Sequence, residues 1–152
     1  LVNYELYMSA ALAEARTAAA AGERADGAVA VLDDAMVARG HEQVVATSDP
    51  TAHAPIVVLR EAARRLGQTR LSGLTLFTVR EPCAMCVGAL LESDADGLVF
   101  ALPDPLAGAC GSAVQLAAAD GLSRRLDVVS GIMQGTAAEI SRQPIAGHRS
   151  GR

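Results

Sequence analysis

Glu81-Pro82-Cys83-Ala84-Met85-Cys86 follows an alternating run, Leu74-Thr-Leu-Phe-Thr-Val79, and opens an apolar helical run from Cys83 to Leu91. A strand that hands the chain straight to a helix is a building unit of α/β folds. The two thiols at i and i+3 share one face of that helix, so both reach one ion. A second stretch, Asp49-Pro50-Thr51-Ala52-His53-Ala54-Pro55, sets a histidine just before another helical pattern. One imidazole and two thiolates, from His53, Cys83 and Cys86, make a three-ligand zinc site whose fourth tetrahedral position is left to water. Both stretches fall at helix N-termini, where free N–H groups and the positive end of the dipole favour anionic sulfur. A buried histidine beside two core cysteines is the alternative for an isolated C-x-x-C. Pro82 before Cys83, and Asp-Pro-Thr-Ala before His53, favour the metal. Cys110 reads as an ordinary small core residue.

Outward from these motifs, Tyr4 to Ala20 reads as an Ala-rich helix ended by Gly22. Gly27 to Leu32 and Ala35 to Arg39 read as two strands across a tight Asp33-Asp34 turn. A polar loop from Gly40 to Thr51 leads to His53, and the helix beginning there runs to Leu66, closed by Gly67. After the Cys83–Leu91 helix come a strand Gly97–Leu102, a loop Pro103–Gly111, a helix Ser112–Ala119, a strand Leu126–Ser130 and a last helix from about Met133 to Ile140. A helix between the strands at 97–102 and 126–130 predicts a parallel crossover, hence a mixed sheet. The tail 144–152 reads as disordered.

The 152 residues suit one domain with its own core. All 13 cationic residues are arginine, and the net charge of −4 gives no global attraction to a polyanion. Three cysteines are no disulfide framework, and thiolate ligands need a reducing compartment. No stretch is long and apolar enough to span a membrane, and no charged-then-apolar leader opens the chain, so a cytoplasmic protein with no membrane partner is expected.

On Gly22-Glu23, Gly27-Ala-Val29, Asp49 to Ala54, Leu66-Gly67, Glu81 to Leu90, Val99-Phe100, Asp104-Pro105, Gly108 to Ser112 and Gly131-Ile132, the chain resembles the bacterial tRNA adenosine deaminases of the cytidine deaminase-like superfamily. The deaminase signature H-x-E…P-C-x-x-C is matched everywhere except at its glutamate, where Pro55 stands. The resemblance covers nearly all of a single zinc-binding domain, residues 1–143. It implies a three-layer α/β/α cytidine deaminase-like fold with a mixed central sheet of about five strands. It further implies zinc on His53, Cys83 and Cys86, a homodimer with active sites near the subunit interface, and backbone around Ala54 and Pro82 that orients a base.

Against that family pattern, the base-reading asparagine is Glu42, a loop lysine is Leu106, an arginine before the fourth strand is Asp94, and Pro144 cuts the C-terminal helix short. These changes argue against tRNA as a partner and toward a small nucleobase- or nucleoside-type substrate. Proline fits the first turn of a helix, so the fold survives Pro55. The chemistry is affected more, because a carboxylate that moves protons in hydrolytic deamination is worth ~10²–10⁴ in rate. Glu42 is the candidate to replace it, placed where the family puts a ligand-touching residue. Glu42 as a solvated loop glutamate is the plainer alternative. Glu81 and Asp49 are expected to brace the ligand loops, Glu61 to point to another face of its helix, and Asp104 to remain a loop acid without an assigned role. Two functions stay open: a zinc deaminase-type hydrolase on a small substrate, and a catalytically silent zinc-binding homologue acting as a binding or partner subunit.

Overall fold

A computed structural model describes residues 2–143 of the chain. Helix α1 (Tyr4–Ala20) is capped by Asn3, whose side chain accepts the Leu6 N–H at 3.0 Å. Strands β1 (Gly27–Leu32) and β2 (Ala35–His41) form a hairpin whose turn residues, Asp33 (φ 50°) and Asp34 (φ 59°), both lie in the left-handed region that aspartate tolerates. A single helical turn, α2 (Val44–Thr47), interrupts the loop toward α3 (Ala54–Leu66). Then follow β3 (Thr75–Arg80), α4 (Ala84–Glu92), β4 (Gly97–Leu102), β5 (Asp127–Ser130) and α5 (Gln134–Arg142).

The five strands lie in the order β2-β1-β3-β4-β5. β1 is antiparallel to both neighbours, while β3, β4 and β5 run parallel. Alternation along the strands divides the core in two. Ala28, Ala30, Leu76 and Leu98 meet Val58, Leu59 and Ala62 of α3 and Val87 and Leu90 of α4. Val29, Phe77, Val79 and Val99 meet Tyr7, Met8 and Leu12 of α1 and Ala137 and Ile140 of α5. The result is the expected helix–sheet–helix sandwich. Close seating of α1 depends on Gly27, where a Cβ would stand 2.4 Å from the Ala11 carbonyl oxygen.

The helix expected at Ser112–Ala119 is absent. Residues 103–126 cross from β4 to β5 as a folded loop with a Cys110–Gln115 bridge. The backbone there is satisfied by other partners: Ser112 N–H donates to Glu81, Ala113 N–H to the Gly108 carbonyl (2.9 Å) and Leu116 N–H to the Ala109 carbonyl (2.8 Å). Gly111, at φ 122°, turns the chain away from helical geometry. The parallel pairing of β4 and β5 is present, without the helix thought to imply it. The loop Gly40–Thr51 also contains more structure than expected, because the buried Glu23 carboxylate accepts the Val45 and Ala46 N–H groups at 2.9 and 2.8 Å and holds α2. No helix among the described residues is long and apolar enough to cross a membrane. The expected tail 144–152, with Pro144, lies outside the described residues.

Candidate metal and base site

Sheet direction gathers the site at one end. β3 and β4 are parallel, so Glu81-Pro82-Cys83 and the loop from Pro103 both leave from carboxyl ends of neighbouring strands, the usual ligand edge of such sheets. β1 runs the other way, so its entry, Arg24 to Asp26, arrives at that same end, as does the exit of β2 at Glu42.

His53 and Cys83 are the N-cap residues of α3 and α4, and neither spends its side chain on capping. The His53 Nδ1 lies 3.6 Å from Cys83 Sγ and 3.7 Å from Cys86 Sγ, and the two sulfurs lie 3.7 Å apart. Tetrahedral zinc, with bonds of about 2.3 Å to sulfur and about 2.0–2.1 Å to nitrogen, requires donor separations of about 3.5–3.8 Å. The three donors therefore fit zinc. Among the described residues no carboxylate joins them as a fourth ligand. The adjacent Cys86 thiol and, after it, the His53 ring draw the Cys83 thiol down to about 3 against the opposing effect of burial. Cys86 is pushed well up by the ionised Cys83 and by burial. Without a cation the pair thus ionises once, and a dication is what makes both sulfurs thiolates.

Glu42 is not a solvated loop residue: it is 1% exposed. Its Oε1 accepts the Ala54 N–H at 3.3 Å, and its Oε2 lies 3.3 Å from Arg24 Nε. Its own N–H donates to the Asp26 carbonyl at 3.1 Å. Asp26 is buried too, with Oδ1 accepting the Gly27 and Arg80 N–H groups at 3.0 and 3.1 Å. Burial pushes the Asp26 carboxyl up to about 6, in spite of the Arg24 charge beside it. The His53 ring is raised, first by its contact with Cys83 and further by the nearby Glu42 charge, against burial.

Pro55 is buried in the first turn of α3. Of the two backbone positions expected to orient a base, Ala54 has its N–H on Glu42, and the Pro82 carbonyl accepts the Ala109 N–H at 2.8 Å. Glu81 braces the loop beyond β4, not its own ligand turn, accepting N–H groups from Asp104 (3.1 Å), Cys110 (2.9 Å) and Ser112 (3.2 Å) and the Ser112 hydroxyl. Gly108 makes this possible, since a Cβ there would lie 2.3 Å from the Glu81 carboxyl carbon. Asp49 holds the approach to His53 through the Thr51 N–H and hydroxyl at 2.9 and 2.7 Å. Asp104 spends its carboxylate on the Leu106 and Ala107 N–H groups, and Glu61 pairs with Arg64 and Arg65 on the outer face of α3. Cys110 is half-buried against the core.

Residues 2–102 match the model of the cytidine and deoxycytidylate deaminase zinc-binding region. The chain belongs to this deaminase family. The tRNA-specific adenosine deaminase of Agrobacterium fabrum is 39% identical over 90% of this chain and 90% of its own length. That of Bacillus subtilis is 38% identical over 86% and 81%. A solved deaminase that edits adenosine to inosine at the tRNA wobble position superposes with a TM-score of 0.86 at 38% identity, covering 89% of this chain and 98% of that one. The guanine deaminase of Nitrosomonas europaea gives 0.75 at 25% identity, over 93% and 84%.

Within this deaminase fold, the sequence reading brought together the three donors and Glu42 but passed over Arg24 and Asp26. A signal was present. Arg24-Ala25-Asp26 puts two charges immediately ahead of the wholly apolar Gly27–Leu32, in phase with Ala28 and Ala30 on the α3-facing side of β1.

Proposed function

We propose that this deaminase-family chain is a zinc-dependent hydrolase acting on a small nucleobase- or nucleoside-like substrate, with Glu42 as its proton carrier. The observation that carries the reading is the buried Glu42 carboxylate, bonded to the residue that follows the His53 ligand. Burying a carboxylate against the sheltered Nε of a guanidinium costs desolvation that a purely structural site would avoid with apolar side chains, and buried charge of this kind clusters at functional sites.

When bound, zinc supplies a water that is nucleophilic near neutral pH. His53, Cys83 and Cys86 would hold it. The overall reaction replaces a ring-carbon amine by a carbonyl: water adds to the carbon, and the C–N bond breaks to release ammonia. Glu42 Oε1 has only the long 3.3 Å bond to Ala54, so it keeps a lone pair to take up a proton from the attacking water. It returns that proton to the departing nitrogen.

The small-substrate reading is supported by the acidic net charge, by the fully exposed Leu106 where the family resemblance implies a lysine, and by Asp94, tied up with Arg70 at 2.8 Å where it implies an arginine. The structural likeness to a guanine deaminase adds to it. We take the active form to be a homodimer in the cytoplasm. A second reading, a catalytically silent zinc-binding subunit, is favoured by Pro55 buried at the glutamate position.

Ammonia release distinguishes the two. Zinc-loaded protein is offered guanine, adenine, cytosine and their nucleosides, and in parallel an anticodon stem-loop RNA. Release from a small substrate, with the RNA unedited, is the expected outcome. Efficient inosine formation in the RNA overturns the small-substrate reading, and silence on every substrate leaves the binding subunit.

A further inference from the structure

Arg24 stands beside the metal donors with its charge paired and its hydrogen-bond donors unspent. Its Nε is buried, lies 3.3 Å from Glu42 Oε2 and makes no hydrogen bond to any described residue. The side chain as a whole is 31% exposed. Asp26 and Glu42 flank it, and Asp104 and Cys83 are near enough to strengthen its charge against burial. A buried donor left without a partner costs free energy until a ligand completes it.

The Arg24–Glu42 pair has a defined polarity, a donor next to an acceptor. The lactam edge of an oxo-nucleobase, a carbonyl oxygen beside a ring N–H, has the matching arrangement. The amidine edge of adenine has the opposite one, an amino donor beside a bare ring nitrogen, so both contacts would be lost at once. Building on the small-nucleobase reading above, we propose that Arg24 is a specificity-determining residue that takes the ring carbonyl of an aminated oxo-nucleobase while Glu42 Oε2 accepts the adjacent ring N–H and leaves Oε1 to carry the proton. The substrate class is then an aminated base with a lactam, and adenine-type bases are rejected.

The test is calorimetric titration of the zinc-loaded protein with hypoxanthine, which has the lactam and no exocyclic amine to lose, and with unsubstituted purine. Wild type is expected to bind hypoxanthine at least about tenfold more tightly than purine. Arg24→Ala removes the donor. Arg24→Lys keeps a positive charge beside Glu42 and removes the planar fork, which guards against a folding defect in the alanine variant. Both variants should bring the ratio below about threefold with zinc content unchanged. Zinc-loaded variants that keep the wild-type ratio overturn the role of Arg24, as does a wild type that binds both bases equally. A wild type that binds neither base overturns the small-nucleobase reading itself, and this inference with it.

Discussion

Glu42 Oε1 accepts the Ala54 N–H at 3.3 Å, which ties the residue after the His53 ligand to the edge of the sheet. The first turn of a helix leaves such N–H groups without partners, so a carboxylate at this point serves the helix as well as the site. Glu42→Gln keeps an acceptor and should retain fold and zinc. Glu42→Ala leaves the Ala54 N–H unpaired and Arg24 without its carboxylate, and should cost about 1–3 kcal/mol in urea denaturation of the zinc-loaded protein. A loss below about 0.5 kcal/mol would show that the contact does not hold the turn.

Gly108 packs where a methyl group would overlap Glu81. Gly108→Ala must push the loop after β4 off the carboxylate, which breaks contacts to Asp104, Cys110 and Ser112 together. The expected loss is about 1–3 kcal/mol, typical of overpacking. Unchanged denaturation midpoints would mean the loop has other anchors.

Asp26 makes stability depend on pH. Its folded value of about 6 lies above the ordinary 3.8, so the protonated form is favoured by folding. That contribution is complete below the unfolded value and is lost as pH rises through about 6. Asp26→Asn keeps the oxygen that accepts from Gly27 and Arg80 and removes the charge. Relative to wild type, the variant should gain stability between pH 4 and pH 7, by up to about 3 kcal/mol. A difference that is flat across that range, or that favours wild type at pH 7, contradicts the assignment.

Zinc should be part of the folded state. Removal with a chelator is expected to lower the melting temperature, and Cys83→Ser or His53→Ala should cut the zinc content measured by elemental analysis. In metal-free protein the half-buried Cys83, its thiol drawn well down while Cys86 and Cys110 are pushed up, should be alkylated before them, and zinc should protect it. Equal alkylation of all three thiols would contradict this.

Much of the fold was legible because hydrophobic period and punctuation agreed. The Ala-rich run closed by Gly22, the paired aspartates between β1 and β2 and the alternation Leu74–Val79 each carry a local signal. The Ser112–Ala119 segment also had helical composition, yet Glu81, thirty-one positions away, takes the Ser112 N–H while the Gly108 and Ala109 carbonyls take those of Ala113 and Leu116, and a long-range acceptor leaves no mark on local pattern. The metal donors were legible because ligand chemistry demands fixed residue types at fixed spacing. Arg24 and Asp26 left only the mark of two charges in phase with β1, because their part in the site follows from β1 running antiparallel to β3, a property of sheet topology. Glu42 was found through family resemblance, but its burial and its pairing with Arg24, eighteen positions away, are tertiary facts that local pattern does not carry.

The most direct test of the account is the rate of ammonia release from the small-substrate panel by zinc-loaded wild type and Glu42→Gln side by side. A proton carrier at Glu42 predicts turnover by wild type and a fall of ~10² or more in the variant at equal zinc content. Undiminished release by Glu42→Gln, or none by fully loaded wild type, would contradict it.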